Sequence, residues 1–512
     1  MLSIINSLGL IGLNGYLVKV EIDVNKGLPS YEIVGLADTA IKESKQRVMP
    51  ALKNQGFSFP IDKIVINLAP ADTKKEGSYY DLPISVGILN ATNQIDSSKE
   101  FLSQFAFIGE LSLDGSLRQI KGVLPMLITA RKLGMKKVVI PFENAKEASF
   151  IDGIEVYAIK NLKQLTLFLN GEEELKPIES LSYNYIKSNS KTSTNFSQIR
   201  GQASAKRALE ISAAGGHNVL MIGPPGSGKT MLARAFPTIL PDMTFDEALE
   251  VTKIHSIAGT LDKNIGILTE RPFRTPHHTA TTVALTGGGR NAKPGEISLA
   301  HNGVLFLDEM PEYSRQTIEA LRQSLEDGTI TVSRNAQTIE YPSNFILIAS
   351  MNPCPCGNYG STQKQCKCSP NQIHKYLSKL SGPLMDRIDM YIEVDGVTYN
   401  DISGEIKEES SEEIKKRVNF ARKVQTARYE KQKIYSNSKM TNSMIKQYCK
   451  LDDESNKMLK LAFDSLKLTA RAYNRILKVA RTIADLDGCE DIKQEHIFEA
   501  INYRSLDDKY WI

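Results

Sequence analysis

Apolar and polar residues alternate along several stretches in the first third of the chain. The stretches YLVKVEIDV (16–24), KIVINLAP (63–70) and KKVVIPF (136–142) have the period of two that is typical of β-strands. Residues 124–133, which precede the last of these stretches, have helical spacing. Because strands and helices alternate, the pattern predicts an α/β domain over residues 1–171.

The pattern changes twice further along the chain. Residues 172–197 are polar, rich in Ser, Asn and Lys, and aperiodic, which indicates a linker. Residues 198–397 return to apolar strands and helices and predict a second α/β domain. Residues 398–512 are helical throughout, with amphipathic segments such as AYNRILKVARTIADL (472–486), and predict a helical domain.

Composition is that of a soluble globular protein. Of the 512 residues, 41% are hydrophobic and 24% are charged. No run of eighteen apolar residues occurs, and the apolar N-terminus lacks a basic start and is broken by glycines, so the sequence predicts neither a membrane span nor a signal peptide. Four of the six cysteines fall within fifteen residues, which is no disulfide framework and favours a reducing cytoplasm. The net charge of +4 is too small to indicate a nucleic-acid partner by itself.

The strongest chemical signal is the segment NVLMIGPPGSGKTMLARAF (218–236). An apolar strand, 219–222, leads into a glycine-rich loop and then into a helix. The glycines let backbone N–H groups surround a β-phosphate, and the helix N-terminus adds partial positive charge. Lys229 is expected to reach the β- and γ-phosphates of a nucleotide, and the Thr230 hydroxyl to hold Mg²⁺.

Carboxylates follow a second apolar strand, GVLFLDE (303–309), about eighty residues after the loop. Asp308, at the strand tip, is expected to position Mg²⁺ through its water shell. Glu309 is expected to polarise the attacking water as general base. A third strand, 345–349, leads to Asn352, whose amide can sense the γ-phosphate or orient that water.

Two arginines follow in the segments SGPLMDRID (381–389) and TAR (469–471). Arginine stays charged and can stabilise the charge that builds up on a transferred phosphoryl group. Taken alone, Arg387 is equally suited to a salt bridge. Its place in the order loop, carboxylates, Asn, Arg, Arg favours a catalytic role for Arg387 and Arg471.

This order of motifs resembles the AAA+ ATPases, and within them the magnesium-chelatase-like group. Four segments are similar to the YifB/ComM family in particular. They are RPFRTPHHTATTVALTGGG (271–289), PGEISLAHNGVLFLDEMPEY (294–313), MNPCPCG (351–357) and SGPLMDRID (381–389). The resemblance extends over essentially the whole chain.

The resemblance implies a role for each motif. Residues 198–202 are similar to the segment that cups adenine in these ATPases. The implied nucleotide contacts are Ile199, Gly223, Pro224, Pro225, Gly226, Ser227, Gly228, Lys229, Thr230 and Asp308. Together with Glu309 and Asn352, the loop and the carboxylates are implied to act within one subunit. Arg387 is implied to be a finger in the neighbour's site, and Arg471 the second sensor on the helical lid. A site shared between subunits implies a ring, and the family implies a hexamer.

The segment 109–147 resembles the proteolytic domain of Lon, which implies an S5-like α+β fold for the first domain. A Lon-type protease needs a Ser nucleophile and a Lys base. The matching positions hold Ile84 and Leu124, and Ser85 and Lys121 are displaced by one and three residues and point elsewhere. We therefore expect no protease activity, and a domain that binds DNA, a partner or its ring neighbours.

Cys354, Cys356, Cys366 and Cys368 form two CxC pairs in the loop after the Asn352 strand. Four thiolates in two close pairs can close a tetrahedral Zn²⁺ site. CxC spacing is tighter than the usual CxxC, and free reduced thiols or a redox clip are the alternatives. The pattern favours zinc, which would stiffen the loop without taking part in phosphate chemistry.

Candidate DNA contacts lie on a predicted hairpin and in a glycine-rich loop. Residues 328–341 alternate in two strands around a turn. In related ATPases a hairpin at this place points into the pore of the ring, so Arg334 and Asn335 are the predicted contacts, with Arg290 as a second candidate. Between positions 415 and 450 the sequence has eleven Lys or Arg residues and only one acidic residue. Such a stretch indicates either a solvated helix face or a surface that binds nucleic-acid phosphates.

These features predict a cytoplasmic ring ATPase that uses ATP and Mg²⁺, and zinc in the cysteine cluster, to move along single-stranded or branched DNA. The family resemblance implies a DNA helicase or translocase for branch migration in natural transformation. One alternative is the ATPase motor subunit of a metal chelatase. A second is a ring scaffold that remodels proteins.

Overall fold

The structure, a computed structural model, describes residues 1–181, 183, 195–262, 265–289, 292–334, 337–360, 364–396, 408–432 and 434–510. By packing, the chain divides into two units that interleave in sequence. The front unit combines residues 1–189 with residues 245–269, and the rear unit combines residues 190–244 with residues 270–512. Part of the predicted linker 172–197 lies outside the described residues.

Within the described residues, the front unit contains a mixed sheet of seven strands. In spatial order they are Ser30–Val34, Lys63–Ala69, Asn14–Asn25, Leu2–Ile11, Phe105–Phe107, Lys137–Pro141 and Glu155–Ile159. The longest strand pairs antiparallel with both of its neighbours, and the other pairings are parallel. A short hairpin joins Glu110–Leu111 to Leu117–Arg118.

The α-helices of the front unit cover the sheet. They are Thr39–Lys42, Ser44–Asn54, Asp81–Ala91, Lys99–Leu102, Val123–Lys132, Ala145–Ala148, Leu162–Leu169 and Phe245–Ala258. The alternation that predicted the strands places their side chains: Val18, Val20 and Ile22 are fully buried, whereas the polar residues between them are not. The three predicted strands and the predicted helix are therefore present.

The rear unit contains a parallel sheet that, in the part of the chain described, has five strands. Their spatial order is Phe273–Arg274, Val304–Leu307, Ile346–Met351, Val219–Ile222 and Met390–Glu393. Two antiparallel pairs lie outside it, Gly287–Gly288 with Lys293–Pro294 and Thr329–Arg334 with Gln337–Pro342. This α/β architecture confirms the predicted parallel sheet.

Helices surround this sheet and continue to the C-terminus. The α-helices are Ala203–Gly215, Lys229–Ala235, Thr282–Thr286, Glu296–Leu299, Arg315–Asp327, Pro370–Leu377, Gly382–Met385, Ser411–Arg428, Asn442–Tyr448, Asp453–Ser465, Ala470–Leu486, Gln494–Asn502 and Asp507–Tyr510. Apolar residues of the sheet and of the C-terminal helices, among them Val219, Ile348, Val418 and Ile483, form one continuous core. The C-terminal helices, predicted as a domain at 398–512, are thus anchored directly to the sheet.

The segment 245–269 packs with the front unit, although it lies inside the predicted domain 198–397. Ser256 on its helix donates a hydrogen bond to the buried carboxylate of Glu147 at 2.5 Å and accepts one from the backbone N–H of Gly122 at 3.0 Å. Gly266 lies so close to the chain at Lys146 that an added Cβ would be 2.2 Å from its carbonyl oxygen. The order of motifs along the sequence did not predict that residues 245–269 pack with the front unit.

None of the helices in the described part of the chain combines the length and the apolar character that a membrane crossing requires.

Candidate functional site

The glycine-rich loop 223–228 connects an interior strand of the rear sheet to the helix Lys229–Ala235. At Gly223 the backbone packs against the backbone at Val394, so that an added Cβ would lie 2.1 Å from the Val394 carbonyl oxygen. Gly226 and Gly228 have φ angles of +79° and +92°, a left-handed conformation that costs glycine little. The predicted strand, loop and helix are therefore present, and the loop lies at the carboxyl edge of the sheet.

Lys229 lies buried in the curve of this loop. Its Nζ donates to the carbonyl oxygens of Gly223 and Pro224, both at 2.8 Å, and approaches Asn352 Oδ1 at 3.4 Å. Burial lowers the pKa of Lys229 to about 8, against the opposing effect of the nearby carboxylates Asp308 and Glu309. An ammonium group desolvated in this way is strongly stabilised by an anionic partner such as a phosphate.

Thr230 and Asp308 meet directly, as the predicted magnesium site requires. The Thr230 hydroxyl donates to Asp308 Oδ2 at 2.9 Å. Hydroxyl and carboxylate oxygens are the donors that Mg²⁺ binds, with waters completing its octahedron. Glu309 follows with φ +51°, an uncommon left-handed conformation for a residue with a side chain. Strained backbone of this kind is found mostly at functional sites.

Ser350, which the sequence patterns did not reveal, bonds the Asp308 carboxylate and the Glu309 backbone. Its fully buried hydroxyl donates to Asp308 Oδ1 and accepts from the backbone N–H of Glu309 at 3.3 Å. It lies on the strand Ile346–Met351, two residues before Asn352. A lone hydroxyl in an otherwise apolar strand was the available signal, because a buried polar group needs a partner.

A cavity of about 580 Å³ opens beside the loop. One side consists of the segment that resembles an adenine-binding segment, including Ile199, Arg200 and Gln202, and another consists of residues 224–228. Gln202 Nε2 donates to the Ser227 carbonyl oxygen at 3.3 Å, which ties this segment to the loop. Ile199 and residues 224–228, which are among the predicted nucleotide contacts, thus line one cavity.

Arg387 and Arg471 lie at the opposite edge of the same sheet. Both line a second cavity, of about 350 Å³, together with Asn218 and Asp389, which directly precede two strands. The glycine-rich loop 223–228, called the phosphate loop below, follows the carboxyl end of one of these strands. The structure therefore does not bring either arginine to the phosphate loop of its own chain.

Arg387 is held in place by side chain and backbone. It is 6% exposed, and its guanidinium donates to the Pro383 carbonyl oxygen and to the exposed carboxylate of Glu326. Arg471 is more open, with a side chain 60% exposed and 3.7 Å from the Asp386 carboxylate. The two arginines therefore share one face.

Asn218 connects the Arg387 segment to the bases of two sheet strands. Its amide donates to the Arg387 carbonyl oxygen at 3.0 Å and accepts from the Leu347 N–H at 2.9 Å, and its backbone N–H donates to Asp389 at 2.8 Å. Burial by itself would raise the pKa of Asp389. The Arg475 guanidinium and the His217 ring lower the pKa by more than burial raises it, so it lies below its ordinary value. Asp389 is thus a stable anion at the foot of the sheet.

The four clustered cysteines converge. Their sulfur atoms all lie within 4.8 Å of one another, and Cys354 Sγ lies 3.4 Å from Cys356 Sγ and 3.7 Å from Cys366 Sγ. Tetrahedral zinc with Zn–S bonds of about 2.3 Å requires sulfurs about 3.8 Å apart. The donor set and its spacing therefore fit Zn²⁺.

The candidate DNA contacts are only partly described. The predicted hairpin is present, with Thr329–Arg334 paired to Gln337–Pro342, whereas Asn335 and Arg290 lie outside the described residues. Within the basic stretch, several cations are paired inside the unit. These pairs are Lys415 with Asp242, Arg417 with Glu210 and Glu409, and Arg428 with Asp485.

The positions that match the Lon dyad are buried in the front unit. Ile84 and Leu124 are at most 1% exposed. Ser85 is fully buried and donates to the Asp81 carbonyl oxygen at 2.8 Å, whereas Lys121 is exposed. The two displaced residues therefore differ in environment, and Ser85 is not exposed as a nucleophile would be.

Comparison with known proteins covers both units. A family model described as "Magnesium chelatase, subunit ChlI" matches residues 195–402, one described as "Subunit ChlI of Mg-chelatase" matches residues 20–144, and one described as "Magnesium chelatase, subunit ChlI C-terminal" matches residues 408–504. Lon protease 2 of Bacillus subtilis is 29% identical over 194 residues, which are 34% of each chain. The Lon-like similarity lies in the N-terminal region, as predicted.

Two relatives match the chain from end to end. Competence protein ComM of Haemophilus influenzae is 43% identical over 508 residues, which are 99% of this chain and 98% of the relative. YifB of Escherichia coli is 41% identical over 515 residues, which are 99% of this chain and 97% of the relative. These matches confirm the resemblance inferred from the motifs, and the chain belongs to the ComM/YifB family of magnesium-chelatase-like AAA+ ATPases.

Proposed function

We propose that this chain forms a ring that uses ATP hydrolysis to move DNA. The observation that supports it best is the division of the ATPase machinery between two edges of one sheet. Lys229, Thr230 and Asp308 meet at the carboxyl edge, and Arg387 lies at the other. A subunit arranged in this way needs a neighbour to complete its site.

At the carboxyl edge, each group has one task. Lys229 binds the β- and γ-phosphates, and Thr230 and Asp308 hold Mg²⁺ directly and through water. Glu309 takes a proton from the attacking water, and Asn352, beside Lys229, orients that water or senses the γ-phosphate. Magnesium supplies charge neutralisation on the phosphates. Ser350 keeps Asp308 and the Glu309 backbone in register.

At the opposite edge, Arg387 acts on ATP bound to the next subunit. Its guanidinium exchanges Glu326, an exposed carboxylate, for the transition-state phosphates. Arg471 shares that face and contacts the same neighbouring nucleotide. Repetition of this head-to-tail contact closes into a ring, and the family resemblance favours a hexamer.

DNA is the proposed substrate, on the strength of a competence protein among the relatives and of the hairpin after the carboxylate strand. One relative, matched over 98% of its length by this chain, is named a competence protein. In sequence, the hairpin Thr329–Arg334/Gln337–Pro342 lies between the carboxylate strand and the Asn352 strand, both of which lead to residues of the proposed nucleotide site. A change at the γ-phosphate can therefore tilt the hairpin, and Arg334, Asn335 and Arg290 are the proposed phosphate contacts.

The cysteine cluster holds one Zn²⁺ in this proposal. Cys354, Cys356, Cys366 and Cys368 supply four thiolates at suitable distances. The ion closes the loop and takes no part in hydrolysis.

A chelatase motor is the second candidate, because the matching family models are described by a magnesium-chelatase subunit. Its substrate partner would be a porphyrin-loading protein rather than DNA. The full-length match to a competence protein favours the DNA motor.

The deciding experiment measures Mg²⁺-ATP turnover of the purified chain alone and with single-stranded, duplex and branched DNA, with Glu309→Gln as control for contaminating ATPases. We expect DNA, and branched DNA most, to stimulate turnover. Turnover that no DNA changes would contradict a DNA motor and leave the chelatase and protein-remodelling roles.

A further inference from the structure

The loop that carries Cys354, Cys356, Cys366 and Cys368, called the cysteine loop below, forms part of the wall of the cavity beside the phosphate loop. Cys356, Asn358 and Lys364 line this cavity together with residues of the glycine-rich loop 223–228 and of the segment of Ile199. The contact is direct at Gly357, which has φ +80° and where an added Cβ would lie 2.4 Å from the Pro225 ring. A nucleotide that fills the cavity must therefore touch this loop.

The sulfur cluster determines the path of this wall. Within the described residues 354–360 and 364–368, neither helix nor strand supports the loop. The Tyr359 N–H donates to Cys354 Sγ at 3.3 Å and the Gly357 N–H donates to the Cys354 carbonyl oxygen at 2.9 Å, so the loop turns around Cys354. The Asn358 amide, 4.0 Å from Cys356 Sγ, adds only a weak contact. Cys366 and Cys368 bring the far end of the loop back to the same point.

We propose that metal binding by the four thiolates shapes the nucleotide site, and that Asn358 on the metal-closed loop contacts the nucleotide. This inference rests on the proposed ATP and zinc sites. With zinc bound, the two ends of the loop are clamped and Asn358 and Lys364 are held against the cavity. Without it, a loop whose described residues form neither helix nor strand loses its clamp, and nucleotide binding must then also order part of the binding surface.

The metal therefore controls nucleotide affinity and not the chemical step. The proposed hydrolytic groups Asp308, Glu309 and Asn352 directly follow the neighbouring strands Val304–Leu307 and Ile346–Met351 and precede Cys354 in the chain. Removal of zinc is expected to raise the dissociation constant and KM for ATP while leaving kcat at saturating ATP little changed. The amide of Asn358 is expected to contribute one hydrogen bond, or about 3- to 10-fold in affinity.

The test measures zinc content by elemental analysis and the dissociation constant of a fluorescent ATP analogue with Mg²⁺. Wild type as purified is compared with wild type stripped by a zinc-selective chelator, with Cys366→Ser and with Asn358→Ala. Cys489→Ser, which changes a half-buried thiol outside the cluster, is the control. We expect weaker binding in the stripped protein and in Cys366→Ser, with little zinc. Asn358→Ala is expected to keep its zinc and bind less tightly.

Asn358→Ala decides the matter if Cys366→Ser does not fold, because it leaves every thiol in place. An unchanged dissociation constant in the stripped protein or in Asn358→Ala overturns the proposal, as does purified wild type without zinc. Failure of zinc-loaded wild type to bind the analogue at all would instead contradict the proposed ATPase function.

Discussion

At the scale of single residues, the site depends on hydroxyl groups as much as on charges. Asp308 accepts from Thr230 on one oxygen and from Ser350 on the other, so its carboxylate is oriented before any ion arrives. Preorganisation of this kind avoids rearrangement during the reaction. Glu309, one residue further on, is the proposed general base.

Glu309→Gln is expected to bind ATP with near-normal affinity and to hydrolyse it 10²- to 10⁴-fold more slowly, because the water loses its base while the phosphate contacts remain. Single-turnover hydrolysis and nucleotide binding measure the two effects. Glu312→Gln, at a half-exposed carboxylate paired with Lys379, is the matched control. Near-normal turnover of Glu309→Gln would exclude Glu309 as the base.

The pKa of Lys229, lowered by burial to about 8, predicts a pH dependence of ATP binding. Phosphates favour the protonated amine, so the pKa rises in the complex. Below pH 8 the amine is already charged and affinity is flat. Above pH 8 binding must take up a proton, and the dissociation constant rises by up to about tenfold per pH unit. Calorimetry at pH 9 in buffers of different ionisation enthalpy measures the uptake, and none at that pH would contradict the assignment.

At the scale of elements, a parallel sheet separates the two halves of the machinery. Residues that follow the strands form the proposed nucleotide site, and residues that precede them hold Arg387. Asn218 lies at the foot of the strand whose other end becomes the phosphate loop. A rigid strand therefore connects the proposed nucleotide site of the chain to the segment that carries Arg387, the proposed arginine finger.

Arg387→Ala is expected to bind nucleotide and assemble, but to lose hydrolysis. Mixing it with Lys229→Ala subunits is expected to restore part of the activity, because some interfaces then join an intact loop to an intact finger. The control replaces Arg387→Ala by a chain with both substitutions, which cannot form such an interface. ATPase assays over the mixing ratio report the outcome, and equal inactivity of both mixtures contradicts a shared site.

Arg334→Ala is expected to uncouple hydrolysis from DNA movement. Basal ATPase persists, since no catalytic group changes, while strand displacement falls sharply. Loss of one phosphate contact lowers the salt slope of DNA binding by roughly one unit. Arg322→Ala, which removes a half-exposed arginine from a helix, is the control. Normal strand displacement by Arg334→Ala would shift attention to Arg290.

At the scale of the whole molecule, the front unit includes a segment from the middle of the sequence. Residues 245–269 leave the rear unit and pack into the front one, where Ser256 satisfies the buried Glu147. Burial raises the pKa of Glu147 in spite of hydrogen bonds from Ser256, Leu124 and Asn144. The front unit is thus completed by a segment that lies between two parts of the ATPase in sequence.

Gly266→Ala is therefore expected to destabilise the front unit, because its Cβ would overlap the Lys146 carbonyl oxygen and the Phe150 ring. The expected cost is about 1–3 kcal/mol, measured by thermal unfolding and by hydrogen exchange in residues 1–181. Gly27→Ala, where a Cβ meets only Lys63 at 3.7 Å, is the control and is expected to be nearly neutral. Equal stability of the two variants would mean that segment 245–269 contributes little to the front unit.

The sequence by itself determined the strands, the phosphate loop, the carboxylates after their strand and the family. Each of these is a local pattern: the period of two at Val18, Val20 and Ile22 places a strand, and glycines at 226 and 228 allow a left-handed turn. The tertiary structure decided the partners. It brought Ser350 to Asp308, the cysteine loop to Pro225, Arg471 to the Arg387 face and residues 245–269 to the front unit. These contacts join segments far apart in the chain, and they depend on how strands are ordered and surfaces fit, which no local period encodes.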